Sequence, residues 1–148
     1  MKKIFLLTVM IIASLANSFA DSWTDENGVT WSFTTKSDGT ATISSASGYG
    51  EILTVPSFVY YGDKAYSVVG IGYTAFSGKT IKQVILPASC TSIGSSAFNG
   101  CSSLTSVGDL SSCTSIGNQA FLSCSALTSV GDLSSCTSIG SEAFRGCS

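Results

Sequence analysis

A unit of 23 residues repeats along the second half of the chain, and this period constrains the fold more than any other feature. The unit from Cys113 to Ser135 reads CTSIGNQAFLSCSALTSVGDLSS, and the chain restarts at Cys136 with CTSIGSEAFRGCS. The preceding unit, Cys90 to Ser112, reads CTSIGSSAFNGCSSLTSVGDLSS, and a weaker copy that is one residue shorter begins at Val68. A fixed period in the range of about 20 to 50 residues is typical of repeat architectures.

The repeat predicts an α/β fold in which short units stack into a solenoid. One unit is too small to bury its apolar side chains alone, so neighbouring units have to share strand hydrogen bonds and a continuous core. Brief parallel strands are expected at Cys113 to Ile116 and Leu127 to Val130, and one or two helical turns at Gln119 to Leu122. The predicted core consists of the recurring apolar residues Ile93, Phe98, Cys101, Ile116, Phe121, Cys124, Leu127, Val130, Ile139 and Phe144.

These residues carry a family resemblance. The stretch IGSSAFNGCSSLTSV, preceded by ILPASCTSIG, resembles the BspA-like leucine-rich repeats of secreted and surface proteins. The pattern Ile-x-x-x-Ala-Phe-x-x-Cys-x-x-Leu-x-x-Val occurs in three near-copies, and the resemblance covers about 68–148. It implies a leucine-rich-repeat solenoid that is exported, non-catalytic and adhesive. The partner that it implies is a surface or matrix protein of a host or neighbouring cell.

Two copies depart from the family pattern after their valine. Val107 and Val130 are each followed by Gly-Asp, which shifts the next apolar residue by one position and predicts a β-bulge. The period of 23 residues places Asp109 and Asp132 at the same position in adjacent units, close to serine hydroxyls. Oxygen ligands of this kind suit Ca²⁺, so a weak calcium site is one hypothesis, and solvated loop acids are the alternative.

The segment 21–67 differs in character and predicts a β cap in front of the repeats at 68–148. A hairpin is expected around Asp38-Gly39, and a second turn at 61–64. Most aromatic residues of the chain lie before residue 75. They predict either the core of this cap or a glycan-stacking platform built from Trp23, Trp31 and Tyr60 or Tyr61. Glycan binding is therefore the alternative function.

Residues 1–20 have the pattern of a secretory signal peptide. Lys2 and Lys3 precede an apolar stretch that is too short to span a bilayer, and Ser18-Phe19-Ala20 is typical of a cleavage site. The sequence thus predicts a secreted or cell-surface protein, with no membrane span after cleavage.

The six cysteines alternate at spacings of 11 and 12 residues and form two columns of the repeat. An even number of cysteines in an exported chain is compatible with a disulfide framework. However, Val68 holds the slot of Cys90 in the first copy, which favours buried thiol ladders. Three members in each column would also leave one cysteine unpaired. Disulfides and a metal cluster stay open as alternatives.

The composition argues against several functions. The chain has no histidine, so it offers neither a Ser-His-Asp triad nor an imidazole metal ligand. The formal net charge is -2, which does not favour nucleic-acid binding. The sequence therefore predicts no enzyme, no cofactor and no nucleic-acid partner.

Positions that differ among near-identical units mark the surface that is free to recognise a partner. These positions flank the Ala-Phe pair, and the predicted exposed row comprises Asn99, Asn118, Gln119, Leu122, Glu142 and Arg145. The last unit stops before its Leu-x-x-Val strand. This predicts an open apolar edge, through which the chain either continues in a longer reading frame or associates with itself.

Overall fold

The structure is a computed structural model that describes residues 21–148. The predicted signal peptide at 1–20 lies outside the described residues. Within 21–148 no helix is long and apolar enough to cross a membrane. The described chain forms eleven β-strands: β1 Asp21–Thr24, β2 Thr30–Thr35, β3 Thr40–Ser47, β4 Ile52–Thr54, β5 Phe58–Tyr61, β6 Lys64–Ile71, β7 Gln83–Ile85, β8 Ser92–Ile93, β9 Ser106–Val107, β10 Ser115–Ile116 and β11 Ser138–Ile139.

The first sheet joins the N-terminal segment to the repeats. It has eight strands in the order β1-β2-β3-β6-β8-β10-β11, and β5 pairs with β6. The turn at Asp38-Gly39 connects β2 to β3 in an antiparallel pair, and the turn at 62–63 connects β5 to β6. From β3 onward the path runs through parallel pairs. Since β6 spans residue 67, one strand crosses the predicted boundary between cap and repeats, and that boundary stays a prediction.

Strands from successive units pair in register with the period of the sequence. Ile93 pairs with Ile116, and Ile116 pairs with Ile139. The alternation of a strand directs Ile93 and Ile116 to the interior, where both are buried. The intervening serines of the same strands lie on the outer side.

A second sheet of three strands, in the order β4-β7-β9, forms another side of the stack. Its pairs are parallel, with Leu53 opposite Val84 and Val84 opposite Val107, all three buried. The predicted strand at 127–130 is reduced to a single bridge between Ser106 and Ser129.

The third side of each unit is a hydrogen-bonded turn and not the predicted helical turn. In the interior of an α-helix each backbone N–H donates to the carbonyl four residues earlier in the same segment. Here alternate N–H groups donate to the next unit instead: those of Gln119, Phe121 and Ser123 donate to the carbonyls of 141, 143 and 145 at 2.8–2.9 Å. Gln119 and Ser123 also have positive φ angles of 58° and 59°, which interrupt a right-handed helix. The prediction of helical turns was therefore wrong for the described residues.

A column of phenylalanine rings runs through the core. The rings of Phe76, Phe98, Phe121 and Phe144 lie 5.2–5.5 Å apart between successive centroids and are nearly parallel. Tyr49, from the N-terminal segment, packs edge-on against Phe76 at 6.1 Å. The N-terminal segment thus covers the first ring of the column.

The predicted core residues differ in burial according to their distance from the end of the stack. Seven of them are buried: Ile93, Phe98, Cys101, Ile116, Phe121, Cys124 and Leu127. Val130 and Phe144 are only partly buried. Ile139 was predicted as core, but it is 51% exposed because β11 is the edge strand and pairs only with β10.

Candidate interaction face of the repeats

The hydrogen-bonded turns of successive units stack into one surface, here called the turn face, which comprises 72–78, 94–100, 117–123 and 140–146. Nine backbone hydrogen bonds of 2.7–3.1 Å, three between each pair of units, hold these turns together. The Ala-Phe pair of each turn points into the core. The flanking positions therefore lie on a backbone whose spacing is fixed.

The structure places all six residues of the predicted exposed row on the turn face. Asn118, Glu142 and Arg145 are exposed, whereas Asn99, Gln119 and Leu122 are half-buried. The row as a whole is thus less exposed than its sequence variation suggested. For Gln119 the reason is that its side chain reaches Glu142 of the next unit.

Four of these residues make polar contacts, and two of the contacts link neighbouring units. The Gln119 amide nitrogen donates to Glu142 Oε2 at 2.8 Å, and Arg145 donates to Glu142 Oε1 at 2.6 Å. The backbone N–H of Ser141 donates to Asn118 Oδ1 at 2.9 Å. Hydrogen bonding by Gln119, and then hydrogen bonding and the charge of Arg145, lower the pKa of Glu142. This corner of the turn face therefore presents an ionised carboxylate between a guanidinium and an amide.

The sequence comparison missed Tyr73, which occupies the same position in the first unit as Asn118 in the third. It is 74% exposed, more than any other large apolar side chain of the described residues. It was left out because the variable positions were taken from the near-identical copies only, and the first copy is a weaker one. Alignment on the Ala-Phe pair would have placed Tyr73 in the Asn118 column.

Asp109 and Asp132, the candidate calcium ligands, act as local turn residues. Asp109 accepts hydrogen bonds from the backbone N–H and the hydroxyl of Ser111 at 2.8 and 3.0 Å. Asp132 does the same with Ser134 at the same distances. Among the described residues no group of three or more histidine, cysteine, aspartate or glutamate side chains is placed to hold a metal ion. Calcium binding stays a prediction, and this geometry does not favour it.

The same Asp109 turn explains why the predicted bulge is not required. Strand β9 ends at Val107 and pairs with β7 without a shift in register. The turn at Asp109 then redirects the chain so that Leu110 is buried. The extra position is thus accommodated after the strand and not inside it.

All six cysteines are free thiols in the structure. Cys101, Cys124 and Cys147 donate to phenylalanine carbonyls of the preceding unit at 3.1–3.3 Å. Burial raises the pKa of Cys90 to about 11 and that of Cys124 to about 12. Since the thiolate is the nucleophile and the metal ligand, protonated buried thiols of this kind serve packing and not chemistry.

The residues of the glycan-platform hypothesis do not form one exposed surface. Trp31 is 1% exposed, and its indole nitrogen donates to Asp25 Oδ2 at 2.9 Å. Its place in a stacking platform was therefore predicted wrongly. Tyr60 and Tyr61 are exposed, and the ring of Tyr60 contacts Trp23 at a tilt of 53°.

Comparison with known protein families decides the identity of the repeats. The model of the BspA-type leucine-rich repeat region matches residues 64–148 with six copies. The chain belongs to this family. The BspA-type repeats therefore cover more than half of the chain, and they begin in β6.

Solved structures of bacterial leucine-rich repeat proteins share this fold. A leucine-rich cell surface protein from Faecalibacterium prausnitzii is 36% identical with a TM-score of 0.77, and the match covers 88% of this chain and 35% of that one. A leucine-rich repeat protein from Bacteroides capillosus is 28% identical with a TM-score of 0.73, over 85% and 91% of the two chains. One from Bacteroides ovatus is 30% identical with a TM-score of 0.71, over 91% and 33%.

The BspA-type chain thus spans about a third of the length of the Faecalibacterium protein. No curated protein matches it. The leucine-rich-repeat fold expected from the sequence is confirmed by these similarities, and one of the similar proteins is described as a cell surface protein.

Proposed function

We propose that the chain is an exported, non-catalytic interaction module that binds a surface or matrix protein of a host or neighbouring cell through its turn face. The observation that carries this proposal is the contrast within one unit: the buried positions repeat, while the flanks of the Ala-Phe pair, which are exposed or half-buried, vary on a backbone of fixed spacing. Repeat proteins commonly use such extended faces for recognition.

The residues on this face suit a protein partner. Tyr73 offers a large amphipathic ring, and Arg145 and Glu142 offer charge on the same face. Aromatic residues and arginine are enriched among residues that dominate binding energy at protein interfaces. Backbone strain supports the same conclusion, because Thr74, Ser96, Gln119 and Glu142 all have φ angles between 51° and 58°. Strained positions of this kind concentrate at binding sites.

The experiment is to screen the purified protein against arrays of matrix and cell-surface proteins and to compare variants on the strongest partner. The variant Tyr73→Ala combined with Arg145→Ala should weaken binding at least tenfold. The matched control is Tyr61→Ala combined with Lys82→Ala. It removes a tyrosine that is 54% exposed and breaks one exposed ion pair, both outside the turn face.

An equal loss in both double variants would place the contact elsewhere and contradict the proposal. Binding only to glycan arrays, unaffected by the turn-face substitutions, would favour the alternative function instead. Both variants should unfold with the cooperativity of the parent, since all four side chains are exposed.

A further inference from the structure

A cleft lies between the two hairpin turns of the N-terminal segment, away from the turn face. It has a volume of about 400 Å³ and is lined by Lys36, Ser37, Gly39, Lys64, Ala65 and Tyr66. The backbone fixes its shape: Thr40 pairs with Ser67, and the Ser67 N–H donates to the Gly39 carbonyl at 3.0 Å. The two turns are therefore held side by side at the end of one sheet.

Of the five cations in residues 21–148, three form no ion pair within those residues, and two of the three, Lys36 and Lys64, line the cleft; the third is Lys79. Lys82 and Arg145 each form an ion pair, at 2.7 and 2.6 Å. Neither Lys36 nor Lys64 has a carboxylate within 4.0 Å among residues 21–148. Two lysines without an ion pair among the described residues thus line one cleft.

The aspartates of the same two turns do not line the cleft. Asp38 Oδ1 accepts hydrogen bonds from the hydroxyl and the backbone N–H of Thr40, at 2.6 and 3.0 Å. Because these bonds hold the carboxylate within its own turn, it does not neutralise the ammonium groups by direct contact. Asp63 lies in the other turn and is exposed. The charges of Lys36, Lys64, Asp38 and Asp63 sum to zero. An anion is therefore attracted to the two lysines only at short range.

Two ammonium groups beside a serine hydroxyl offer several donors and favour an oxyanion, with charge-assisted hydrogen bonds. The volume is at the lower end of that of small-molecule sites, which suits one or two sugar rings. Tyr66 also lines the cleft and is half-buried, and an aromatic residue at this place suits contact with the apolar face of a sugar. Gly39 leaves the opposite wall open, since a Cβ there would have no atom within 4 Å.

We propose that this cleft binds an acidic glycan through a sulfate or carboxylate group held between Lys36 and Lys64. The site is independent of the protein-binding turn face. It is also distinct from the aromatic platform predicted from the sequence, since none of the platform residues lines it.

Titration calorimetry on the full-length protein tests the proposal with four tetrasaccharide or tetrapeptide probes: a heparin-derived sulfated tetrasaccharide, tetragalacturonate, neutral maltotetraose and tetraglutamate. At least one of the two acidic sugars should bind, and which one does distinguishes sulfate from carboxylate. Binding should be tenfold weaker or absent with maltotetraose and tetraglutamate. Equal binding of tetraglutamate would overturn the assignment to a glycan.

Two double variants separate the cleft from general electrostatics. Lys36→Glu with Lys64→Glu should lower the affinity for the acidic sugar at least tenfold. Lys79→Glu with Lys82→Glu changes the net charge by the same amount outside the cleft and should leave the affinity within about threefold. An equal loss in both would overturn the proposal.

A measurement on the unmodified protein covers the case in which a variant does not fold. Backbone amide shifts in the NMR spectrum should move on titration at Gly39 and Ala65 and stay constant on the turn face. Shifts that appear only outside the cleft would overturn the proposal. Failure of the turn-face experiment would leave this result unchanged, because the two sites share no residue.

Discussion

At the scale of single residues, the cysteines show that the repeat buries a side chain that is reactive when exposed. Each column slot is occupied by a small side chain that packs against the neighbouring unit, and Val68 fills the slot of Cys90 in the first unit. The sequence predicted this equivalence because valine and cysteine share the position. The hydrogen bonds from the thiols to carbonyls of the preceding unit were not predictable, since they depend on the approach of two backbones.

The raised thiol pKa values predict a loss of stability at alkaline pH. Burial raises the pKa of Cys90 from its ordinary value near 9 to about 11, so the folded state favours the protonated thiol. This contribution is fully present below pH 9 and is lost as the pH rises from 9 to 11. Between pH 7.5 and 10, the free energy of unfolding should fall by about 1.4 kcal/mol on account of Cys90 alone.

The variant Cys90→Val isolates this contribution, since it installs the residue that occupies the slot in the first unit. Urea unfolding under reducing conditions should show a smaller fall between the two pH values in the variant than in the parent, by about 1.4 kcal/mol. Lysine and tyrosine titration is common to both proteins and cancels. An identical fall in both would show that Cys90 is not desolvated in the folded state.

At the scale of elements, hydrogen bonding between units prevails over local helix propensity. The segments around the Ala-Phe pairs have favourable helical residues, and sequence alone predicted helical turns there. In the structure, every second backbone N–H of these segments donates instead to a carbonyl of the next unit. An isolated helix has no such neighbouring acceptor. The paired strands that contain Ile93 and Ile116 were predictable from β-branching and flanking glycine. The Asp109 turn was not, because a bulge and a turn place Leu110 in the core equally well.

Close approach of these turns explains the glycine that follows each Ile93-type residue. A Cβ built on Gly94 would lie 2.8 Å from the carbonyl oxygen of Ile71 and from the carbonyl carbon of Gly72. Both atoms belong to the backbone of the preceding unit and cannot rotate away. Gly94→Ala should therefore destabilise the protein by about 1–3 kcal/mol or more, as measured by chemical or thermal unfolding.

Gly50→Ala is the matched control for this substitution. A Cβ added to Gly50 would have no atom within 4 Å, and Gly50 does not adopt a positive φ angle. Alanine at this position should leave the free energy of unfolding within about 0.5 kcal/mol of the parent. A comparable loss at both positions would contradict the close-approach explanation and attribute the effect to glycine flexibility.

At the scale of the whole molecule, the two ends of the stack differ. The N-terminal segment extends the first sheet and covers the first phenylalanine ring through Tyr49. At the other end, β11 pairs on one side only, and Ile139 is half exposed. The sequence predicted the open edge from the interruption of the last unit. It also predicted a cap in front of the repeats, but not the contact of Tyr49 with the first phenylalanine ring, because that contact depends on how the segment before the repeats folds back.

Several hydrogen-bonding groups at this end of the described chain have no partner. Gln119, Phe121 and Ser123 donate N–H groups to the following unit, whereas the equivalent groups of Glu142, Phe144 and Gly146 have no acceptor among the described residues. The ring of Phe144 is likewise stacked on one side only. Unpaired edge groups beside exposed apolar side chains favour pairing with another edge. We propose that the polypeptide of residues 21–148 by itself self-associates through this end as its concentration rises, because Ile139 is exposed there.

Sedimentation equilibrium of the purified protein over a hundredfold range of concentration measures this association. Ile139→Lys should shift the protein toward the monomer, because it places a charge at the centre of the apolar edge. Ile52→Lys is the matched control, since Ile52 is 53% exposed against 51% for Ile139 and lies on the edge strand β4 of the other sheet. A monomer at all concentrations would contradict the expectation. An equal shift in both variants would show that association depends on apolar surface in general, and not on the open end of the repeats.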